Sequence, residues 1–137
     1  MTGRKPHRIR IKRAYEAPSR DDGRRVLVDR MWPRGVTREK LALDRWLKEA
    51  APSDDLRKWF NHDPSRWPEF TARYGDELRK PPASDAVDEL VRCAREGPLT
   101  LVYAASDEAH NDAVALRDII AQHLAHGKRS GERGTSP

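Results

Sequence analysis

The chain has 137 residues, a mass of 15.7 kDa and a formal net charge of +5, and hydrophobic and charged residues each make up 36% of it. This length fits one domain and is too short for two ordinary ones. The single cysteine, Cys93, excludes an intrachain disulfide, and no stretch approaches the roughly 18 apolar residues of a membrane span. The composition therefore predicts one cytoplasmic domain with a charged surface.

The basic residues are concentrated at the two ends of the chain. Residues 1–13 hold six basic and no acidic residues, whereas residues 14–126 hold 18 basic and 21 acidic residues. A basic tail binds phosphate backbones without recognising a base sequence, so nucleic acid is one candidate partner, and a solubilising terminus is the alternative. We predict a flexible basic arm over residues 1–7, one α/β domain over residues 8–126 and a disordered tail over residues 127–137.

Three short apolar segments predict the strands of a sheet. Residues 8–13 alternate charged and apolar side chains, which is typical of an edge strand with one solvated face. Residues 26–28 and 99–105 are apolar without alternation, which predicts strands buried on both faces. Residues 14–25 contain Pro18 and Gly23 and no helical periodicity, so they are predicted to form a loop.

Capping residues and apolar spacing predict the helices. Thr37 caps a short turn, and the spacing of Leu43, Trp46 and Leu47 predicts one or two further helical turns. Longer helices are predicted after the capping residues Ser53, Asp63 and Ser84, and over residues 109–125. Together these elements predict an α/β fold, a small three-layer sheet of at least three strands, partly parallel and flanked by helices.

Polar residues interrupt the apolar elements at three places. The clusters are Asp29, Arg30, Trp32 and Arg34; Asn61, His62 and Asp63; and Ser106, Asp107, His110 and Asn111. If the two buried strands are neighbours, the first and third clusters lie at the carboxyl edge of the sheet, where open α/β sheets bind ligands. Arginines bind phosphates and carboxylates, and histidines titrate near neutral pH. The clusters therefore predict a site for an anionic small molecule.

Each predicted site residue has a role. The predicted substrate-binding residues are Arg30, Trp32, Arg34, Ser106 and Asn111. The predicted catalytic residues are His62 and His110, which move protons, and Asp29 and Asp107, which orient them. No local spacing supports a metal site, and no dinucleotide-binding or phosphate-loop motif is present, so neither a metal nor a cofactor is predicted.

The same residues also have structural explanations. Asp29 can form an ion pair with Arg30 or Arg34 that holds the loop. The structural alternative for Asp63 is that it serves as a helix cap and has no chemical role. Trp32 is either a wall of the pocket or an apolar plug. The structural alternative is aromatic stacking or core packing for His62, Trp46, Trp59 and Trp67.

Two motifs carry a family resemblance: Asp29-Arg30-Met31-Trp32-Pro33-Arg34-Gly35 and His62-Asp63-Pro64. With them, the chain resembles the prokaryotic domain-of-unknown-function family 488, in its YeaO-like branch. The resemblance covers about residues 8–125 and extends through Ala51-Pro52-Ser53, Leu56-Arg57-Lys58-Trp59-Phe60, Tyr103-Ala104-Ala105 and His110-Asn111. It implies that the three polar clusters coincide with the motifs by which members of the family are identified, and it implies no established activity.

Two departures from the family pattern limit what carries over. Ser106 stands where this branch usually has lysine, so no role for an amine carries over to that position. Members outside the branch often have Cys, Glu and then Cys-His-Arg near the last strand and helix, where this chain has Tyr103, Ala105 and Asn111-Asp112-Ala113. Thiol or metal chemistry at those positions is therefore not expected here.

Three functional hypotheses follow. In the first, the protein binds an anionic, phosphorylated or nucleotide-like small molecule at the carboxyl ends of the strands, and hydrolysis of that molecule is an extension of this hypothesis. The alternative is a non-catalytic nucleic-acid-associated or regulatory protein that uses its basic N-terminal arm. The third is an interaction module whose helices dock a partner, for which the abundance of tryptophan is the only support.

Overall fold

Four parallel strands form the sheet in the computed structural model, which describes the backbone of residues 9–135 and the side chains of residues 9–126. The strands are β1 (Ile9–Arg13), β2 (Arg24–Leu27), β3 (Arg45–Trp46) and β4 (Leu99–Tyr103), and their order is β1-β4-β2-β3. The α/β prediction is confirmed. The two apolar strands, β2 and β4, are neighbours in the interior of the sheet, and the alternating strand β1 is at its edge.

Five helices accompany the sheet. They are α1 (Arg38–Leu41), α2 (Asp54–Phe60), α3 (Trp67–Glu77), α4 (Ala83–Glu96) and α5 (Asp112–Thr135), with short 3-10 turns at Arg20–Asp22, Lys48–Ala50 and Pro64–Arg66. The predicted caps of α1 and α2 are confirmed, because Thr37 accepts a hydrogen bond from the Lys40 backbone and Ser53 accepts one from the Leu56 backbone.

Alternate residues of the interior strands face two separate apolar clusters. Val26 and Leu101 lie in the larger cluster, which the helices α2 to α5 cover. Leu27 and Val102 face the smaller cluster, which includes Leu41 of α1 and is closed by Trp32 and Trp46. This alternation follows from the two-residue period of a strand, and it explains why β4 is buried along its whole length.

Two local predictions are wrong. Residues 43–47 do not form helical turns, because Arg45–Trp46 pairs with β2 and the backbone N–H of Leu47 donates to the Leu27 carbonyl. Pairing with a distant strand here overrides an apolar spacing that is compatible with both structures. Ser84 does not cap α4, since that helix begins one residue earlier and the Ser84 backbone N–H donates to the Lys80 carbonyl.

The C-terminal helix is longer than predicted. Helix α5 begins at Asp112 and continues to Thr135, beyond the predicted end near residue 125, and disorder over residues 127–137 stays a prediction. The predicted arm, residues 1–7, lies outside the described residues. None of the helices in residues 9–135 combines the length and apolar character that crossing a bilayer requires.

Replacing Gly23 by alanine is expected to destabilise the fold by about 2 kcal/mol or more, because Gly23 has φ +61° and an added Cβ would lie 2.2 Å from the Pro98 carbonyl oxygen. Gly75→Ala is the matched control, since an added Cβ on this helical residue meets no atom within 4 Å apart from its neighbours and the backbone of its own helix. Urea unfolding of both variants checks this. Equal stability for the two would show that the turn before β2 adapts to the side chain.

Candidate functional site

A cavity of about 400 Å³ opens where β2 and β4 end. Its walls come from the loop after β2, the segment around α2 and the start of α5. Because the two interior strands are parallel neighbours, their polar continuations meet at this edge of the sheet. The charged and imidazole side chains that line the cavity are Asp29, Arg30, Arg34, Arg57, His62, His110 and Asp112.

Asp29 and Asp112 form a carboxyl pair in the cavity wall. Asp29 directly follows Val28, and its Oδ2 accepts a 2.9 Å hydrogen bond from the Ala104 backbone N–H. Burial raises the pKa of Asp29, and burial together with the negative charge of Asp29 raises the pKa of Asp112 well above the ordinary value. A hydrogen bond with Asp29 also raises the pKa of Asp112, whereas hydrogen bonding from the Ala113 backbone lowers it, and the net effect favours the protonated form of Asp112.

Asp112 was not among the residues predicted from the sequence. An acid in the first turn of a helix is ordinarily explained by the helix dipole, and Asp112 is the first residue of α5. The signal that its role differs is its contact with Asp29, which is distant in the sequence. That contact depends on the pairing of β2 with β4 and is visible only in the folded chain.

The arginines stand at the mouth of the cavity. Arg30, whose side chain is 41% exposed, donates to the carbonyls of Ala51 and Pro52 at 3.4 and 3.3 Å, and its Nε lies 4.0 Å from Asp54. Arg57 is 52% exposed and lies 3.5 Å from the same Asp54 carboxylate. Arg34 is exposed on the loop after β2.

The structural alternative for Asp29 was an ion pair with the neighbouring arginines. Within the described side chains, no ion pair joins Asp29 to Arg30 or Arg34, so this explanation of the loop is wrong. The carboxylate of Asp29 instead turns toward the Ala104 backbone and Asp112. The mouth of the cavity therefore carries positive charge, and its interior carries the carboxyl pair.

His110 is held in place at the cavity wall. Its Nδ1 lies 3.1 Å from Oδ2 of Asp107, and Trp67 contacts the imidazole edge-to-face with the ring centroids 5.3 Å apart. Hydrogen bonding from the Ala109 backbone, with a contribution from His110, lowers the pKa of Asp107. Asp107 does not line the cavity itself but orients a residue that does.

His62 lines the opposite part of the wall in a left-handed backbone conformation. Its φ is +54°, and the preceding Asn61, which ends α2, has φ +47°. Neither Trp59 nor Trp67 stacks on His62 among the described contacts, and the Trp59 ring instead lies beneath Arg66 and Arg73. Consecutive non-glycine residues with positive φ are uncommon, and they aim the exposed His62 toward the cavity.

Two other predicted residues have structural partners. Asn111 caps α5, because its Oδ1 accepts from the Val114 backbone at 3.0 Å and its Nδ2 donates to the Asp107 carbonyl at 2.9 Å. Trp32 donates from Nε1 to the Val36 carbonyl at 2.6 Å, and it serves both as a cavity wall and as an apolar plug.

Ser106 and Asp63 lie differently. Ser106 is exposed and does not line the cavity, although Ala104 and Ala105 before it do. Asp63 accepts from the Ser65 backbone at 3.0 Å and so caps the 3-10 turn Pro64–Arg66 that directly precedes α3, rather than α3 itself. In the part of the chain with described side chains, no three His, Cys, Asp or Glu residues converge as metal ligands.

Comparison with known proteins identifies the family. Residues 8–137 match the family DUF488-N3i, described as "Inactive DUF488-N3 subclade". The chain is 40% identical over 110 residues to "Uncharacterized protein YeaO" of Escherichia coli, covering 80% of this chain and 94% of that protein. It is 39% identical over 113 residues to "Uncharacterized protein Rv3073c" of Mycobacterium tuberculosis, covering 82% of this chain and 93% of that one. No solved structure matches. The chain therefore belongs to the DUF488 family, in the DUF488-N3i subclade with YeaO among its relatives.

Proposed function

We propose that this protein binds an anionic small molecule, phosphorylated or nucleotide-like, in the cavity at the carboxyl edge of its sheet. The observation that carries the proposal is the cationic mouth, where Arg30, Arg34 and Arg57 line one opening. Arg34 makes no ion pair within the described part of the chain, so its charge is free to meet a ligand. Guanidinium groups bind phosphates and carboxylates through paired hydrogen bonds.

The rest of the lining supports a ligand with a planar or apolar body. Trp32, Phe60 and Phe70 contribute aromatic surface beside the arginines. The volume of about 400 Å³ lies within the range of small-molecule sites. His62 and His110 add imidazole donors at the same walls. The description of the matching subclade as inactive supports binding without hydrolysis.

The Arg34→Ala variant is expected to lose the thermal stabilisation that anions confer. A ligand at about 100 times its Kd stabilises the folded state by about 2.7 kcal/mol, which thermal melting detects readily. The panel contains inorganic phosphate, sugar phosphates, nucleotides and carboxylates. Arg34→Ala is expected to reduce the affinity at least about tenfold through loss of a charge-assisted contact, with the melting temperature of the free protein unchanged.

The exposed Arg92 on α4 provides the matched control, because Arg92→Ala removes the same charge away from the cavity. This variant is expected to bind each anion as the unsubstituted protein does. Equal loss of binding in both variants would show that the net charge of the protein, and not a contact made by Arg34, causes the loss. Absence of binding by every anion would overturn the proposal. Formation of product from a bound phosphate ester would show that the protein hydrolyses its ligand and does not only bind it.

A further inference from the structure

We propose that the ligand is a phosphorylated sugar or sugar-containing nucleotide, whose sugar hydroxyl groups bind the Asp29–Asp112 carboxyl pair while its phosphate binds the arginines at the mouth. This inference rests on the proposed function, and it names the substrate class and the orientation of the ligand. It arises from two features of one cavity, the cationic mouth and the carboxyl pair, which both contribute lining residues.

The distribution of charge sets the orientation. Arg30 and Arg57 are substantially exposed, and their guanidinium groups are turned toward the α2 side of the opening by Pro52 and Asp54. Asp29 and Asp112 are more withdrawn from solvent. A phosphate beside the carboxyl pair would meet negative charge, so the phosphate belongs at the mouth. A cationic ligand group is disfavoured as well, because it would have to pass the arginines.

The chemistry of the carboxyl pair favours neutral hydroxyl groups. Asp29 accepts from the Ala104 backbone N–H and Asp112 accepts from the Ala113 backbone N–H, and each carboxyl oxygen has a second lone pair for a further donor. A hydroxyl group both donates and accepts, so it bonds to such a pair without adding charge. Sugar hydroxyl groups that replace water at these oxygens would keep their hydrogen bonds, whereas an apolar group in the same place would remove them.

The neighbours of the pair explain why it is not neutralised internally. Tyr74, which is fully buried, donates its hydroxyl to the Ala50 carbonyl and so offers no proton to Asp112. Arg30 donates to the carbonyls of Ala51 and Pro52, and no ion pair joins it to Asp29 or Asp112 among the described side chains. Neither Tyr74 nor Arg30 therefore occupies the remaining lone pairs of the two carboxyl groups, and both Asp29 and Asp112 line the cavity.

Calorimetric titration with three probes tests the inference: ribose 5-phosphate, phenyl phosphate and inorganic phosphate. Phenyl phosphate shares the phosphate and fills the aromatic walls, but it has no sugar hydroxyl groups. Ribose 5-phosphate is expected to bind about tenfold more tightly than either other probe, the effect of one hydrogen bond to a charged group. Asp112→Asn is expected to remove most of this advantage and to leave phosphate affinity equal or higher.

The outcomes separate the two proposals. Phosphate binding that depends on Arg34, without tighter binding of ribose 5-phosphate, would overturn the sugar inference and leave anion binding intact. If phenyl phosphate and ribose 5-phosphate bound equally, and both more tightly than inorganic phosphate, the aromatic walls would explain the tighter binding, and the sugar inference would be overturned. No binding by any probe would overturn both proposals. If Asp112→Asn fails to fold, the affinities of the three probes for the unsubstituted protein still test the sugar inference. The control variant is Asp88→Asn, at an exposed site on α4.

Discussion

The Asp112→Asn variant is expected to be more stable than the unsubstituted protein at about pH 8, by roughly 1–2 kcal/mol, the usual gain from a stabilising substitution at a functional site. Burial and the charge of Asp29 raise the pKa of Asp112 well above its ordinary value. An asparagine keeps the shape of the side chain, has an amide N–H donor group in place of one carboxyl oxygen, and never acquires the second negative charge of the pair.

The sign of the pH dependence follows from proton linkage. With a raised pKa, Asp112 holds its proton in the folded chain at pH values where the unfolded chain has released it, so the stability falls as pH rises between the two pKa values. This loss begins near the unfolded value of about 3.9 and ends above the folded one. Asp112→Asn is expected to flatten this part of the profile, and the difference between the proteins is expected to shrink toward about pH 4.5.

Urea unfolding at several pH values measures both effects. Asp88→Asn, which removes an exposed carboxylate from α4, is expected to change neither the stability nor its pH dependence. A variant Asp112→Asn that is no more stable at high pH and retains the slope would show that the two carboxyl groups do not interact as described. A gain in stability with weakened sugar-phosphate binding would mark the pair as a functional feature that costs stability.

Asp22→Asn is expected to destabilise the protein by about 3–5 kcal/mol, because it leaves a buried cation without its partner. Asp22 is fully buried, and its carboxylate accepts from Arg25 at 2.7 Å and from Lys12 at 3.1 Å. The Arg25 side chain is itself buried, and its remaining nitrogens donate to the Leu41 carbonyl. Neutralising Asp22 therefore removes the only carboxylate that contacts the Arg25 guanidinium within the described residues.

The acid dependence provides a second readout. Burial opposes ionisation of Asp22, but hydrogen bonds from the Ser19 backbone, Lys12 and Arg25 prevail and lower its pKa. The ion pair therefore contributes its stability above the unfolded pKa of about 3.9, and this contribution is lost as pH falls toward the folded value. Asp22→Asn is expected to lack this acid-sensitive part, because its side chain does not titrate.

The exposed neighbour Asp21 serves as the control, and Asp21→Asn is expected to leave the free energy of unfolding within about 0.5 kcal/mol of the original value. Asp22 does not line the cavity, so anion affinity of the folded fraction is expected to stay the same in both variants. A loss below about 1 kcal/mol for Asp22→Asn would show that water or the surrounding backbone replaces the carboxylate.

Local signals in the sequence predicted much of the fold. The caps at Thr37 and Ser53 depend on hydrogen bonds within one helical turn, so the residues that make them lie close together in the sequence. Continuous runs of apolar residues predict the buried strands at 26–28 and 99–105. In contrast, β3 contains only Arg45 and Trp46, and its pairing with β2 has no local signature.

The sequence by itself determined that this chain forms an α/β domain and that polar clusters end its buried strands, because periodicity, caps and turn residues act over a few positions. Only the tertiary structure decided which of these residues share a cavity. Asp29 meets Asp112 because β2 pairs with β4, whereas Ser106 turns outward from the same edge. The pKa of Asp112 is likewise set by burial and by a residue far away in the chain, and such interactions exist only once the strands are paired.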